Sequence, residues 1–222
     1  MTDAEVAACV EVARSRNLRV CCHARSPESV QMALRHGIPI IYHANYADKA
    51  ALDALEAAKD RVFVAPALGV THALCYRGEP WGTTYRKAEE RGLVRELACG
   101  IEVVRALHKR GVRVLPGGDY GFAWTPHGTY ARDLEIFVKD AGLLPKDVLI
   151  AATKQSGEIM GEGFHVGQVR PGYAADLLLV RGNPLEDITR LQDAANLLMI
   201  LQGGRFHKAP PPDLARAQQG AA

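Results

Sequence analysis

Apolar and polar positions alternate in blocks over the first 160 residues of the chain. Three segments have apolar side chains at the spacing of an amphipathic helix, and short continuous apolar runs, typical of buried strands, follow them. The predicted helices cover residues 3–16, 27–36 and 48–59, and the predicted strands cover residues 18–22, 38–42 and 62–68. This alternation predicts βαβ units and a parallel sheet.

A fourth apolar run at residues 112–118 follows a long predicted helix over residues 85–110. Between the third strand and that helix, the looser pattern of residues 69–84 predicts an extended loop, and helices are predicted near residues 130–141 and 146–160. Four parallel strands are half of the eight that close a (β/α)8 barrel. The pattern therefore predicts an α/β fold with about four parallel strands and two open edges.

The pattern changes after residue 160. Short apolar strands at residues 175–180 and 198–201 follow one another without helical spacing between them, and residues 202–205 have the composition of a hairpin turn. We therefore divide the chain into an α/β part over residues 1–160, a small β-rich part over residues 161–208, and a proline-containing tail over residues 209–222 that we expect to be disordered.

Composition narrows the class of protein. The net charge is +2 and the basic residues are scattered, which gives no reason to expect nucleic acid as a partner. No apolar stretch approaches the roughly 18–20 residues that span a bilayer. We therefore expect no membrane partner. Because the sequence shows no secretion signal, we expect a cytoplasmic location. The five cysteines include no C-x-x-C pair, which favours free thiols over disulfides or a thiolate zinc site.

Metal-ligating side chains follow three of the four predicted strands. His23 and His43 end the first and second apolar runs, and Asp119 ends the fourth. The carboxyl ends of parallel barrel strands meet at one face, and two imidazoles with one carboxylate suit a divalent metal such as zinc. Each residue alone also fits a simpler interpretation: a hydrogen-bonded histidine at a strand end, or a turn-forming aspartate after two glycines.

Three further residues follow predicted strands and are candidates for substrate binding. His72 comes after the third strand, and Tyr120 and His127 come after the fourth. Helix capping or a surface position is an equally good interpretation of His127, and aromatic loop residues often only pack.

Three segments together resemble one family. They are the histidine pair 20 residues apart, the sequence PGGDYG at residues 116–121, and the run over residues 143–205. That run contains AAT at 151–153, a Gly-x-x-x-Pro-Gly turn at 167–172, and GNPLEDI at 182–188. The chain resembles the C-terminal half of the amidohydrolase superfamily, with imidazolonepropionase-like and prolidase-like dipeptidase members as the nearest types.

The resemblance implies a (β/α)8 TIM barrel with a composite β-sandwich, of which this chain holds the C-terminal half of the barrel and part of the sandwich. It places His23 and His43 on strands five and six as ligands of a divalent metal, usually zinc. It places Asp119 on strand eight as a further ligand that also shuttles the proton of the attacking water. With this frame, ligation becomes the favoured interpretation of all three residues.

The family's His-x-His pair of strand one and its strand-four lysine have no counterpart in this chain. We therefore expect a metal-dependent hydrolase of an amide, peptide or cyclic-amide C–N bond in a small molecule, inactive without an N-terminal half-barrel partner. The open sheet edges also favour a homo-oligomer, although no copy of this chain would supply the missing His-x-His pair. The alternative is a truncated, non-catalytic fragment or one subunit of a split barrel that acts as a binding scaffold.

Overall fold

The computed structural model describes residues 1–161 and 163–212. The chain divides after Leu143 into two compact units, the first being Met1–Leu143. The domain borders predicted from the sequence stay a prediction, and most of the predicted disordered tail, residues 213–222, lies outside the described residues.

The first unit contains a parallel sheet of four strands whose spatial order, β1-β2-β3-β4, is their order in the chain. This confirms the predicted α/β class. The strands are β1 (Cys21–Ala24), β2 (Ile40–His43), β3 (Phe63–Ala65) and β4 (Arg113–Val114). No other described strand pairs with the outer edge of β1 or of β4.

The helices of this layer begin where the sequence places capping residues. They are α1 (Asp3–Ser15), α2 (Pro27–Arg35) and α3 (Lys49–Ala57). Thr2 forms a capping box with Glu5 at the start of α1, and the Ser26 and Asp48 side chains accept from backbone N–H groups of α2 and α3. Each cap satisfies amide groups that have no partner within the helix.

The prediction of an extended loop over residues 69–84 is wrong. Helix α4 (Leu68–Tyr76) occupies its first half, and a 3₁₀ turn (Glu79–Trp81) follows. Most residues of α4 are buried, which removes the one-sided apolar spacing that identifies a surface helix.

The long helix predicted over residues 85–110 is two helices, α5 (Tyr85–Glu90) and α6 (Leu93–Lys109). Gly92 separates them with a φ of 76°, which a residue with a Cβ rarely adopts. Helix α7 (Arg132–Lys139) completes the first unit. The side chains of Ile41, Val64, Leu107 and Phe137 are almost entirely buried in its core, and burial of each contributes roughly 1.5–3 kcal/mol.

The second unit begins with α8 (Pro145–Ile150), a π-helical turn (Ala151–Gln155) and α9 (Ser156–Glu158). An antiparallel sheet follows, with the order β5 (Leu177–Val180), β6 (Leu197–Gln202) and β7 (Arg205–Lys208). Along the chain, a short 3₁₀ helix, Ile188–Gln192, connects β5 and β6. Asp176 Oδ1 accepts from the Gly203 N–H at 2.7 Å, so this carboxylate holds the β6–β7 turn. None of the described helices has the length and apolarity that a bilayer crossing requires.

Candidate metal centre

His23, His43 and Asp119 converge at the carboxyl end of the parallel sheet. One ligand-type atom from each residue lies within 4.8 Å of the others. His43 Nε2 is 2.7 Å from His23 Nδ1 and 3.8 Å from Asp119 Oδ2. His23 lies on β1, His43 ends β2, and Asp119 lies in the segment after β4.

The backbone of His43 turns its imidazole toward His23. In the β1–β2 register His23 pairs with Tyr42, and His43 pairs with Ala24. Successive side chains of a strand point to opposite faces, so a regular strand would direct the two imidazoles to opposite faces. His43 instead has a φ of 76°, and rotation about its N–Cα bond brings the ring to His23.

Asp119 also sits on left-handed backbone. Its φ is 54°, and the two preceding glycines, Gly117 and Gly118, have φ of 107° and 109°. A Cβ on Gly118 would lie 3.1 Å from the Ala67 Cβ, so the segment passes close to the end of β3. A non-glycine residue in this region costs on the order of 1 kcal/mol or more and is held there by its surroundings.

His43 is only 1% exposed. Burial is the main cause that lowers the pKa of His43, and the nearby Arg25 guanidinium lowers it further. The Asp119 carboxylate and the Pro66 backbone act on this pKa in the opposite direction, with smaller effect. A neutral, oriented imidazole is the form that binds a metal ion.

The donor set fits a divalent metal. Bonds of about 2.0–2.2 Å in tetrahedral geometry place two ligand atoms about 3.4 Å apart. The two measured separations, 2.7 and 3.8 Å, lie on either side of that value. Two histidines and one carboxylate also leave a coordination position open, as catalytic zinc sites do.

A residue that the sequence did not single out, Asp133, holds the Asp119 segment. Its side chain is fully buried on α7. Its Oδ2 accepts from the Gly117 N–H at 2.8 Å, and its Oδ1 accepts from the Tyr120 hydroxyl at 2.6 Å. The only sequence signal for Asp133 is a carboxylate beside the apolar positions of the helix predicted near residues 130–141.

Burial raises the pKa of Asp133 to about 6, although both hydrogen bonds act in the opposite direction. Burial and the Asp133 carboxylate raise the pKa of Tyr120 well above its usual range. The Tyr120 phenol therefore stays protonated and continues to donate to Asp133. The two hydrogen bonds to Asp133 therefore connect α7 to the backbone before Asp119 and to the side chain after it.

The three predicted substrate-binding residues have other partners nearby. Tyr120 donates its hydroxyl to Asp133. His72 lies half-buried on α4 with its Nε2 3.4 Å from Asp140 Oδ2, and the exposed His127 has its Nδ1 2.5 Å from the Tyr130 hydroxyl. None of the three belongs to the metal-ligand group, and their contact with substrate stays a prediction.

The first unit is thus a parallel α/β layer with two histidines and an aspartate at its strand ends, the class of fold and site found in metal-dependent hydrolases of the barrel type. The family model described as "Amidohydrolase family" matches residues 1–206, so the chain belongs to the amidohydrolase family. Ochratoxinase of Aspergillus niger is 27% identical in an alignment of 215 residues that covers 93% of this chain.

Crystal structures give the same result. A prolidase complexed with N-methylphosphonate-L-proline matches with a TM-score of 0.79 and 27% identity over 94% of this chain. An amidohydrolase matches with a TM-score of 0.80 and 25% identity, also over 94%. The chain spans 41% of ochratoxinase and 50% and 49% of these two chains, so it corresponds to about half of each relative.

Proposed function

We propose that this chain is the half of an amide hydrolase that holds a divalent metal, with zinc as the expected ion, and cleaves a C–N bond of a small molecule with water. One observation carries the proposal: His23, His43 and Asp119 come within 4.8 Å of one another in a member of the amidohydrolase family. His23, His43 and Asp119 would hold the metal.

A divalent metal bound there supplies a Lewis acid for the scissile carbonyl and lowers the pKa of water toward neutrality. The Asp119 carboxylate takes a proton from the attacking water. The resulting hydroxide bonds to the carbonyl carbon, the C–N bond breaks, and Asp119 returns the proton to the leaving nitrogen. His23 and His43 would hold the ion, and the contact with Asp133 keeps the Asp119 segment in place.

The names of the relatives support an amide or peptide bond as the target. Ochratoxinase and a prolidase are both similar to this chain. Because the chain spans only about half of each, we also propose that turnover needs an N-terminal half-barrel partner that supplies the remaining wall and ligands. The substrate is a small molecule in either case.

The metal proposal is tested by titrating the metal-free chain with Co²⁺ and following its visible absorption. We expect saturation at one ion per chain. His43→Ala and Asp119→Asn should each weaken binding by about a hundredfold or more, because each removes one of three ligands. His207→Ala, at an exposed histidine on β7, is the matched control and should bind like the wild type.

Two results would count against the proposal: no saturable spectrum with the wild type, or equal affinity for the wild type and both ligand variants. Amide hydrolysis by the chain alone would remove only the proposed need for a partner.

A further inference from the structure

A cavity of about 350 Å³ lies beside the Asp119 segment, between the chain that follows β3 and the chain that follows β4. Its lining includes Arg77, Trp81, Tyr120, Trp124 and Arg132. The volume falls at the lower end of the range of about 300–1,000 Å³ that small-molecule sites occupy.

Aromatic rings form one wall of this cavity. The Trp81 and Trp124 rings meet edge to face with centroids 6.5 Å apart, and Phe122 stacks on Trp124 at 5.3 Å. A small turn fixes the wall, because the Gly121 N–H donates to the Thr125 carbonyl at 2.8 Å. The wall is therefore an apolar surface that presents both ring faces and ring edges.

The cavity also has two cationic groups without anionic partners. None of the residues that line it is acidic, and within residues 1–161 and 163–212 no observed ion pair involves Arg77 or Arg132. Arg132 Nε and Trp124 Nε1 are buried and have no hydrogen-bond partner in the described chain. With two guanidinium groups and no acidic side chain in its lining, the cavity favours an anionic ligand.

We propose that the cavity binds the carboxylate and the aromatic ring of a small aromatic carboxylate. The two guanidinium groups pair with the carboxylate through charge-assisted hydrogen bonds. The ring packs against the indoles in the offset or edge-to-face arrangements that aromatic pairs prefer.

The cavity and the metal centre share one loop. Tyr120 lines the cavity and directly follows Asp119 in the sequence. The Thr125 hydroxyl donates to the Asp119 carbonyl at 3.1 Å. If the metal centre acts as proposed above, its substrate is an amide whose non-reacting part has an aromatic ring and a free carboxylate.

The chain offers a direct readout, because its only two tryptophans, Trp81 and Trp124, both line this cavity. Tryptophan emission of the full, metal-free chain in EDTA is followed during titration with N-acetyl-L-phenylalanine. We expect a saturable change. The methyl ester, which lacks the charge, and N-acetylglycine, which lacks the ring, should each bind at least about tenfold more weakly.

Arginine variants locate the carboxylate. Arg77→Gln and Arg132→Gln should each weaken N-acetyl-L-phenylalanine binding by about tenfold, and Arg132→Lys should recover part of that loss. Arg86→Gln is the matched control, because Arg86 is an exposed arginine on α5 that pairs with Glu90 outside the cavity. If Arg132→Gln fails to fold, the exposed Arg77 decides the test.

Absence of a saturable emission change, equal affinity for acid and ester, or unchanged affinity in Arg77→Gln would overturn the inference. The assay is independent of the metal. Binding of the aromatic acid without binding of Co²⁺ would support the proposed cavity ligand and contradict the proposed metal hydrolase. Binding of Co²⁺ without binding of the aromatic acid would contradict only the proposed cavity ligand.

Discussion

Three residues with distinct backbone and burial requirements define the centre. His43 and Asp119 both have left-handed φ values, 76° and 54°. Regular strand backbone would be less strained at both positions, but in the β1–β2 register it would separate the His43 and His23 imidazoles. The local strain is therefore tied to the geometry that brings the ligands together.

Asp133 gives a prediction at the same scale. Its pKa is raised to about 6 from an ordinary value of 3.8, so the folded chain holds this proton more tightly than the unfolded chain does. Between about pH 4 and pH 6 the folded state therefore binds more protons, and its stability falls as the pH rises. A shift of about two units corresponds to about 3 kcal/mol.

The measurement is the free energy of unfolding of the wild type minus that of Asp133→Asn, from denaturant titrations at pH 4 and pH 7. We expect this difference to fall by about 2 kcal/mol from pH 4 to pH 7. Ile136→Val, a change at a buried residue of α7 without an ionisable group, is the control and should give a difference that hardly changes with pH. A pH-independent difference for Asp133→Asn would contradict the assigned burial effect.

Among the elements, α4 decides how closely the Asp119 segment can pack. Gly69, its second residue, lies against the Asp133–Tyr120 hydrogen bond. A Cβ at this position would lie 2.1 Å from Asp133 Oδ1 and 2.9 Å from the Tyr120 hydroxyl oxygen. The absence of a side chain allows α4, α7 and the segment after β4 to meet.

We therefore expect Gly69→Ala to lower the free energy of unfolding by roughly 1–3 kcal/mol, the usual cost of overpacking. Because the clash displaces the Asp133 carboxylate, Co²⁺ affinity should fall as well. Chemical denaturation and the cobalt titration measure the two effects.

Gly100→Ala is the matched control for this substitution. Gly100 is a buried helical glycine on α6 whose added Cβ would meet only the ends of the Leu68 and Asn45 side chains, at 3.0 and 3.3 Å. The gain in helix propensity, up to about 1 kcal/mol, offsets a small side-chain adjustment. Equal stability losses in both variants would show that the Asp133 contact is not the cause.

For the molecule as a whole, the open sheet is the main feature. No described strand covers the outer edge of β1 or of β4, and such edges present unpaired N–H and C=O groups to other chains. Without a partner half-barrel, we expect copies of the chain to associate through these edges.

A charge on the β1 edge should reduce that association. Cys21 is an exposed residue on β1, and lysine on an edge strand opposes strand pairing. In sedimentation under reducing conditions, the wild-type mass should rise with concentration, and Cys21→Lys should weaken self-association by about tenfold.

Cys9→Lys, which places the same change at an exposed position on α1, is the control and should associate like the wild type. A wild type that stays monomeric at every concentration would show that the open edges do not drive assembly.

The sequence by itself determined the order of the four parallel strands, the helices α1, α2 and α3, and the positions of His23, His43 and Asp119 at strand ends. These features follow from local periodicity and from residue types at turns, which a chain displays without long-range contacts. The same information was insufficient for α4, because burial on most sides removes the periodic signal.

Only the tertiary structure decided that the His43 imidazole turns toward His23, that Asp133 holds the segment after β4, and that the two tryptophans line one cavity. Each depends on contacts between residues far apart in the chain or on a backbone angle imposed by packing. Local patterns encode which element forms, whereas the direction of a side chain at the end of an element depends on what packs around it.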